Sequence, residues 1–449
     1  MSVTNSRPIP ANPDNLLLRA YRGIYWNRIK LLERLATRHP DIVSSNFGPR
    51  QLILLNSPAY IQEVLVEQAG KFQKSREFKL YTRPLLGNGL LLSEEEDHKR
   101  NRKLVAPAFV HRRIREYAKV MSDYTISGIA NWKDGETIDI SREMMRITLA
   151  IAGKTLFGSE VGGEAEDVKR RLTFLSHYAD EQLRFPLHIP YHWSTPRNNK
   201  VRTAIKGLDD IIYGMISERR NSREDVGDLL SMLLLARDED DGSGMTDLQV
   251  RDEAMTIFLA GHETTSNGMS WMWYLLAKHP HIFVRLRKEL EILEGQPPTL
   301  EDLPRIPYCL QVFKEALRLY PPAYILTRVA MENVVIDGYE IKKDAVMMIS
   351  PYLLHRREDL FSDPERFDPD RFSPENEKKI SKYSYLPFGA GPRVCIGNQF
   401  ALIEAHLMTA TIAQKFTFEM ADPKPAETEP LITLRPKGGI RVVISANKV

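Results

Sequence analysis

The sequence is poor in cysteine and has almost no surplus of charge of one sign. Its 449 residues contain two cysteines, Cys309 and Cys395. Two cysteines form at most one bridge, which excludes a disulfide-stapled secreted scaffold and favours a reducing compartment, by default the cytoplasm. The 62 Lys and Arg residues nearly balance the 59 Asp and Glu residues, and this excludes an obligate nucleic-acid binder.

Long apolar runs are missing as well. No run reaches the roughly 18 to 20 residues that a membrane-spanning helix needs, so we expect neither a signal peptide nor a transmembrane anchor. Hydrophobic residues make up 43% of the chain and charged residues 27%. That composition is typical of a folded globular protein and excludes a disordered one.

Helical periodicity dominates the pattern. Residues 1–15 are rich in proline and small polar residues and predict an N-terminal arm, whereas 16–449 show no linker or repeat and predict one large domain. Apolar residues recur at helical spacing in 57–69, 112–131, 141–157, 201–218, 247–278, 308–320 and 397–416. Short strands are expected at 51–55, 334–336, 339–341 and 346–350, with a closing pair near 431–434 and 440–445. The expected fold class is mainly α with small β-sheets.

The segment 247–278 predicts an unusually long helix through the core. Thr246 with Gln249 forms a capping-box start, and the 32 residues would span roughly 48 Å. Its centre, Ala260-Gly261-His262-Glu263-Thr264-Thr265, is polar and contains a glycine, which costs about 1 kcal/mol inside a helix. A break at Gly261 is the alternative, but the apolar period resumes in phase after it.

A second unusual segment is Phe388-Gly389-Ala390-Gly391-Pro392-Arg393-Val394-Cys395-Ile396-Gly397, directly before a helical run. Glycines allow a backbone to approach a flat object, and a helix N-terminus stabilises a thiolate. Cys395 is therefore a candidate soft metal ligand. A buried, inert cysteine in an ordinary loop is the alternative for a lone cysteine.

The order and spacing of these residues resemble the signature of the cytochrome P-450 family. The signature positions are Phe388, Gly391, Arg393, Cys395 and Gly397. The centre of the long helix is similar to the oxygen-activation motif of that family. The resemblance to soluble, bacterial-type members implies the cytochrome P-450 fold and a haem-thiolate monooxygenase. Such an enzyme inserts one oxygen atom from O2 into a lipophilic compound such as a fatty acid, a terpenoid or a polyketide.

The resemblance also implies roles in binding haem b (iron-protoporphyrin IX). Cys395 would be the axial thiolate and the protein's metal ligand, with Phe388 shielding its sulfur. Gly391 and Gly397 would let the loop lie against the porphyrin, and Arg393 would pair with a propionate.

Further propionate partners are implied at His98, Arg102 and Arg328. His98 stands where the family commonly has tryptophan, and a solvated basic face is the alternative for 98–103. The neighbouring basic residues form a predicted positive patch that could guide an acidic electron-transfer protein: Lys99, Arg100, Lys103, Arg112, Arg113 and Arg115.

Within the long helix, the resemblance assigns the catalytic proton relay to Glu263 and Thr264. Ala260 and Gly261 would leave room for O2, and the Thr264 hydroxyl can bond the carbonyl of residue 260 or a water. His262 is expected to be a packing residue.

A structural role is expected for Glu315, Arg318 and Arg371. The family carries a Glu-x-x-Arg pair at this position, completed by a later arginine, and we interpret the three as a buried network that supports the cysteine loop. Cys309 is expected to fill the core.

The pocket is expected to be apolar. The resemblance places it between helices near 72–92 and 172–193, at Phe78, Tyr81, Leu85, Leu86, Leu90, Phe174, Phe185, Ile189, Tyr191 and Trp193. Arg76, Arg83 or Arg184 could bind a substrate carboxylate.

No flavin or iron–sulfur segment follows before Val449, so electrons are expected from a ferredoxin or flavodoxin with its NAD(P)H reductase. Two alternatives stay open: a peroxide-driven peroxygenase or isomerase of the same fold, and a non-catalytic protein, either a haem-binding sensor or a cofactor-free helical interaction protein.

Overall fold

The computed structural model describes residues 7–11, 28–37, 39–47, 50–158, 165–184, 191, 193–222 and 226–447. Helices dominate these residues and the sheets are small, which confirms the predicted fold class. The α-helices are α1 (Arg28–Ala36), α2 (Pro58–Gln62), α3 (Arg76–Leu86), α4 (Glu95–Val105), α5 (His111–Ile129), α6 (Ile140–Phe157), α7 (Ala165–Arg184), α8 (Pro196–Ser222), α9 (Leu229–Leu235), α10 (Asp247–Lys278), α11 (Pro280–Leu290), α12 (Pro307–Leu319), α13 (Pro351–Leu354), α14 (Pro374–Glu377) and α15 (Asn398–Lys415). The strands are β1 (Ile42–Phe47), β2 (Arg50–Leu55), β3 (Phe72–Gln73), β4 (Thr137–Asp139), β5 (Leu326–Ala330), β6 (Val334–Ile336), β7 (Tyr339–Ile341), β8 (Val346–Ile349), β9 (Phe416–Met420), β10 (Thr428–Pro430), β11 (Leu434–Pro436) and β12 (Arg441–Ala446).

Helix α10 is continuous across its polar centre, as predicted. The Thr246 side chain accepts from the Gln249 N–H, and Gln249 bonds back to the Thr246 N–H, so the predicted capping box is present. The second half of the helix is the most deeply buried, because Trp271 and Trp273 are fully enclosed. It packs against α6 and α12, which places the helix in the centre of the core.

The largest sheet has the strand order β1-β2-β8-β5-β3. Strands β2 and β8 run parallel, and the remaining pairs are antiparallel. The sheet brings β5, which carries Arg328, beside β3, which leads into Lys74. The predicted hairpin of β6 and β7 is present.

The predicted closing strand pair is wrong. Strands β10 and β11 pair with each other, and β12 pairs instead with β9 and β4. The apolar residues Leu431 to Thr433, which resemble a strand, form the turn between β10 and β11. Their apolar character has another cause, since they line an internal cavity.

Two segments expected to lie between helices are themselves largely helical. Helix α3 starts at Ser75, whose hydroxyl accepts from the Phe78 N–H, and α7 covers most of the second segment. The predicted helix at 57–69 is present as α2, which widens into a π-helical turn at Glu63–Glu67.

Part of the predicted N-terminal arm lies along the sheets. The Arg7 N–H donates to the Gly338 carbonyl at 2.7 Å, and the Ser44 N–H donates to the Pro10 carbonyl at 2.8 Å. The division at residues 15 and 16 falls outside the described residues and stays a prediction. In the part of the chain that the structure describes, no helix is long and apolar enough to cross a membrane.

Candidate active site

An internal cavity of about 500 Å³ lies beside the centre of α10. Its walls are mainly apolar and come from α1, α3, α7, α8, α10, β5 and the turn between β10 and β11. Ala260, Glu263 and Thr264 line it from the long helix. The cavity is therefore built around the helix segment that the sequence singles out.

The helix is open to this cavity along one stripe only. Ala260 is exposed although the flanking helix is buried, and a side chain added at Gly261 would meet no atom within 4 Å. The Thr264 hydroxyl donates to the Ala260 carbonyl at 2.7 Å, as predicted. A small molecule thus has room beside Ala260 and Gly261, with the Thr264 oxygen at its edge.

The two residues before Thr264 are buried, and Glu263 also reaches the cavity. His262 makes a 2.7 Å hydrogen bond with the Phe258 carbonyl through Nδ1, and burial lowers its pKa, so it is the predicted packing histidine. The Glu263 carboxylate accepts a 2.8 Å hydrogen bond from the Thr433 hydroxyl and lies 3.5 Å from the Arg435 guanidinium. Sequence reasoning found the acid but missed both partners.

The loop before α15 holds Cys395 by backbone hydrogen bonds. The Cys395 N–H donates to the Phe388 carbonyl at 2.9 Å, and the Gly397 N–H donates to the Cys395 sulfur. Burial in the loop raises the pKa of the thiol, while the Gly397 N–H and the positive charge of Arg102 act in the opposite direction. The side chain is nevertheless accessible, which fits a thiol that faces open space inside the fold.

The loop and the opened helix stripe lie against the same apolar cluster. Ile396, next to Cys395, and Leu259, next to Ala260, both pack on it. Phe388 packs instead against the largest core cluster and is half-buried. The structure therefore brings the two sequence motifs to one region of the core.

The glycines of the loop serve different purposes. A Cβ atom at Gly391 would lie 1.8 Å from the Leu65 carbonyl in the π-helical turn, and its φ is +70°, so this glycine is required by protein packing. A Cβ atom at Gly397 would make only an ordinary 3.6 Å contact with the Phe109 ring. Both glycines were expected to make room for a porphyrin, but packing against Leu65 is by itself a sufficient reason for Gly391.

Five basic side chains gather beside the loop. His98, Arg102, Arg328 and Arg393 were expected there, and Lys74 joins them. Burial lowers the pKa of His98, and the charges of the other four cations act in the same direction, so that its pKa is about 4. Burial and the charge of Arg393 also lower the pKa of Arg328 to about 10, and burial, followed by the charges of Arg328 and Arg393, lowers that of Lys74. We call these five residues the basic cluster.

The basic cluster is only partly satisfied by protein atoms. Arg393 pairs with Glu94, yet its buried Nη1 has no hydrogen-bond partner among the described residues. Arg102 donates to the Val394 carbonyl at 2.9 Å, and Arg328 donates to its own strand at Thr327. Arg328 and Lys74 also line the cavity. Buried cations in excess of their acidic partners fit a group with two carboxylates, such as the propionates of a haem.

The predicted structural network is present, although the buried Nε of Arg371 has no hydrogen-bond partner among the described residues. Arg318 forms a forked pair with Glu315, with both distances 2.8 Å, and both side chains are fully buried. Arg371 lies 3.4 Å from Glu315 and donates to the Asp363 carbonyl. The second predicted structural residue, Cys309, is fully buried in the core as expected.

A histidine that the sequence did not reveal links this network to the cysteine segment. His355 bonds the Arg318 carbonyl through Nδ1 at 3.1 Å and accepts from the Leu386 N–H through Nε2 at 2.8 Å. Burial lowers its pKa to about 3, so the ring is neutral and can accept through one nitrogen while donating through the other. The Glu315 network, as we name Glu315, Arg318, Arg371 and His355, thus supports the loop.

The prediction of the pocket lining is partly confirmed. Phe78, Tyr81, Leu85 and Leu86 line the cavity. Leu90, Phe174 and Tyr191 belong to or pack on the neighbouring core, and Trp193 is exposed. Phe185 and Ile189 lie outside the described residues.

Two of the three predicted carboxylate binders, Arg76 and Arg83, do not line the cavity. Arg76 and Arg83 are exposed on α3, and the side chain of Arg184 lies outside the described part of the chain. The arginines of the cavity wall are Arg28 and Arg328, of which Arg28 pairs with Asp180 at 3.1 Å. Arg28 lies in a segment that no sequence motif marked.

The described side chains of the predicted positive patch lie beside acidic residues. Lys103 lies 3.1 Å from Glu239, and Arg100 lies 3.4 Å from Asp238. Lys99, Arg113 and Arg115 are also within ion-pair distance of carboxylates. The Arg112 side chain is outside the described atoms. These ion pairs reduce the net charge of the basic run, and its use as a docking surface stays a prediction.

Comparisons with known proteins identify the family of this chain. The sequence profile described as Cytochrome P450 matches residues 9–443. Cyclooctatin synthase of Streptomyces melanosporofaciens is 37% identical over 381 residues, which cover 84% of this chain and 83% of that relative. Cyclooctat-9-en-7-ol 5-monooxygenase of the same organism is 35% identical, over 93% of this chain and 90% of that relative. The crystal structure of the cytochrome P450DA haem domain superposes with a TM-score of 0.88 at 26% identity, covering 99% of this chain and 98% of that one. Because the profile spans nearly the whole length, the chain belongs to the cytochrome P450 family and is a monooxygenase of that family.

Proposed function

We propose that this monooxygenase binds haem b through Cys395 and inserts one oxygen atom from O2 into a lipophilic terpenoid. The observation that carries the proposal is the apolar cavity of about 500 Å³, bordered by the open stripe of α10 and by the basic cluster. When bound, the haem supplies O2 activation, which the thiolate favours by donating electron density. The groups that would hold the haem and handle protons come from this chain.

Cys395 would hold the haem iron through its sulfur, and the Gly397 N–H would stabilise the thiolate form. The half-buried Phe388 shields the sulfur from water. Arg393, Arg102, Arg328 and neutral His98 hold the two propionates by charge and hydrogen bonds, with Lys74 as an additional donor. The free Nη1 of Arg393 is the most direct support for an acidic partner that the protein does not provide.

Glu263 and Thr264 handle protons. The Thr264 hydroxyl hydrogen is used by the Ala260 carbonyl, so the Thr264 oxygen is left to accept from a cavity water and to position it. Glu263 borders the same cavity and exchanges protons with that water through its carboxylate. Ala260 and Gly261 keep the space beside this water free of side chains.

The substrate class follows from the walls of the cavity. Leucine, phenylalanine and tyrosine side chains of α3 and α7 provide a surface for a bulky hydrocarbon, and the interspersed hydroxyls of Thr82, Ser176 and Thr256 suit one or two polar substituents. One relative is named as a monooxygenase of cyclooctat-9-en-7-ol, a terpenoid alcohol. A terpenoid with few oxygen atoms is therefore the preferred candidate over a fatty acid or a polyketide.

Electrons come from a separate ferredoxin or flavodoxin with its NAD(P)H reductase, and the enzyme works in the cytoplasm. Both cysteines are unpaired, which suits a reducing compartment.

The ligand assignment is tested by the absorbance spectrum of the reduced, CO-bound protein. A strongly red-shifted main band is expected, and Cys395→His should abolish it while haem stays bound. Cys309→Ala is the matched control, because that cysteine is buried in the core and should leave the band in place. Retention of the band in Cys395→His would refute the assignment.

The substrate class is tested by turnover with a plant-type ferredoxin, its reductase, NADPH and ¹⁸O2. Cyclooctat-9-en-7-ol and dodecanoic acid serve as the two probes. We expect incorporation of one ¹⁸O atom into the terpenoid alcohol at a rate well above that for the fatty acid. The reverse preference would overturn the terpenoid proposal, and product formation with hydrogen peroxide but not with the reductase system would establish the peroxygenase alternative.

The relay is tested with Thr264→Ala, which should divert reducing equivalents from product to hydrogen peroxide. Thr264→Ser keeps the hydroxyl and should behave like the native enzyme. Unchanged coupling of NADPH use to product in Thr264→Ala would refute the role of this hydroxyl.

A further inference from the structure

The hairpin of β10 and β11 reaches across the cavity to the acid of α10. Thr433 lies in the turn of this hairpin, and its hydroxyl is 2.8 Å from Glu263 Oε1. Arg435 in β11 lies 3.5 Å from the same oxygen. Both contacts join residues about 170 positions apart in the chain, so the hairpin and the helix must be correctly packed for them to form.

The direction of the hydrogen bonds is determined by a third residue. Asn267, one helical turn after Glu263, donates its amide N–H to the Thr433 oxygen at 3.1 Å. The Thr433 oxygen accepts this bond, and its hydroxyl hydrogen is left to donate to Glu263. The chain of donors runs from Asn267 through Thr433 to the carboxylate and holds Oε1 in one direction.

Arg435 adds charge to this arrangement. Its guanidinium is largely buried and also lies 3.4 Å from the Ser176 hydroxyl of α7, which lines the cavity. Its Nε is buried without a hydrogen-bond partner among the described residues. A carboxylate that contacts a guanidinium and a hydroxyl donor has fewer accessible rotamers.

We propose that Thr433 and Arg435 are positioning residues of this monooxygenase, which hold the Glu263 carboxylate in the orientation that passes protons into the cavity. The proposal rests on the proposed function of Glu263 as the acid of the relay. Neither residue exchanges the proton itself. Both act through Glu263, and Arg435 makes the orientation depend on the position of α7 in the cavity wall.

The test uses the haem-loaded enzyme without substrate, because Thr433 lines the cavity and could also contact a substrate. A plant-type ferredoxin, its reductase and NADPH supply electrons. Two quantities are measured: the fraction of consumed O2 released as hydrogen peroxide, and the ratio of O2 consumption rates in H2O and D2O. The reduced, CO-bound spectrum is recorded for every variant to verify an intact haem site.

Thr433→Val has nearly the same shape but lacks the hydroxyl. It should raise the peroxide fraction about threefold, because the Glu263 carboxylate loses one of the hydrogen bonds that orient it. The ratio of rates in H2O and D2O should rise as well, because proton transfer becomes slower. Thr433→Ser keeps the hydroxyl and should restore native values. Arg435→Leu should act like Thr433→Val, and Arg435→Lys should recover part of the effect.

Lys437→Leu is the matched control for Arg435→Leu. It lies on the same hairpin, is exposed and pairs with Glu427 instead of Glu263. This variant should leave both quantities unchanged.

The decisive comparison is made in Glu263→Gln. If Thr433 and Arg435 act through Glu263, adding Thr433→Val to Glu263→Gln changes nothing further. An equal additional effect in the double variant would overturn the proposal, as would native behaviour of both Thr433→Val and Arg435→Leu. Native behaviour of Glu263→Gln itself would instead refute the proposed relay. Should Arg435→Leu fail to bind haem, the Thr433 series alone decides.

Discussion

Two clusters of buried charge contact the segment that carries Cys395, and they are built in opposite ways. In the Glu315 network, the Arg318 guanidinium meets a carboxylate and the carbonyls of His355 and Arg366. In the basic cluster, Arg393 pairs with Glu94, and its buried Nη1 has no hydrogen-bond partner among the described residues. The Arg318 guanidinium is thus satisfied by protein atoms, whereas Arg393 has a donor left for an acidic group from elsewhere. The difference separates residues that hold the fold from residues that hold a ligand.

The largest effect on stability is expected from breaking the Glu315 network. Arg318→Ala leaves the Glu315 carboxylate buried without its forked partner, which should lower the free energy of unfolding by about 3 to 5 kcal/mol. Urea unfolding of the haem-loaded protein measures this loss. Lys206→Ala removes an exposed ion pair to Asp210 and should cost less than about 0.5 kcal/mol. A similar small loss in both variants would contradict the distinction.

An effect of intermediate size is expected at Glu404, a buried acid of α15. Its carboxyl group bonds the Thr265 hydroxyl, and its Oε2 has no hydrogen-bond partner among the described atoms. Burial raises its pKa to about 8. The native state therefore keeps a proton that the unfolded state releases above about pH 4.5, and stability should fall as the pH rises from there to about 8. Each pKa unit corresponds to about 1.4 kcal/mol.

Glu404→Gln should remove this pH dependence while preserving shape and the bond to Thr265. Unfolding free energies measured from pH 4 to pH 8 should coincide with the native values at the acid end and exceed them increasingly toward pH 8. Parallel curves for the two proteins would show that Glu404 does not titrate in this range.

In the basic cluster, removing a charged side chain should not lower the stability of the protein. Arg328→Leu removes one crowded, desolvated cation, so the haem-free protein should lose no stability. Haem should dissociate about 10-fold faster, because one propionate partner is gone. Transfer of haem to excess apomyoglobin measures the rate, and the exposed Arg285→Leu is the control. Slower or unchanged haem loss would refute the proposed role of Arg328.

The smallest effect is expected on the surface. Lys103 already lies within 3.4 Å of Glu239 and Asp240, so it contributes little free charge to a docking surface. Lys103→Gln should change the rate of reduction by ferredoxin less than about twofold at moderate salt. A loss of an order of magnitude would establish the positive patch as a partner site.

Local patterns predicted most of the fold and half of the site. The capping pair Thr246 and Gln249, the bounds of α10 and the bond from Thr264 to Ala260 all depend on residues within four positions of each other, and each is confirmed. The network of Glu315, Arg318 and Arg371 was found through the family resemblance.

The features that sequence reasoning missed are long-range contacts. Lys74 and Glu94 join the cluster through the sheet and α4, and Thr433 with Arg435 reaches Glu263 across about 170 residues. The strand prediction at 431–434 failed because the apolar run there faces a cavity and not a sheet neighbour. The basic run from Lys99 to Arg115 looked uncompensated because its acidic partners belong mostly to other elements.

Gly391 and Gly397 of the cysteine loop differ in how well they tolerate substitution. The Leu65 carbonyl leaves no space for a side chain at position 391, so any replacement there displaces the loop. Such a variant would report on the damaged protein fold and not on haem binding. Position 397 has ordinary φ and only a distant ring beside it, so the polypeptide tolerates a methyl group there. A methyl group at position 397 therefore does not disturb the protein itself. Any change that it causes near the Cys395 sulfur reports on the bound prosthetic group.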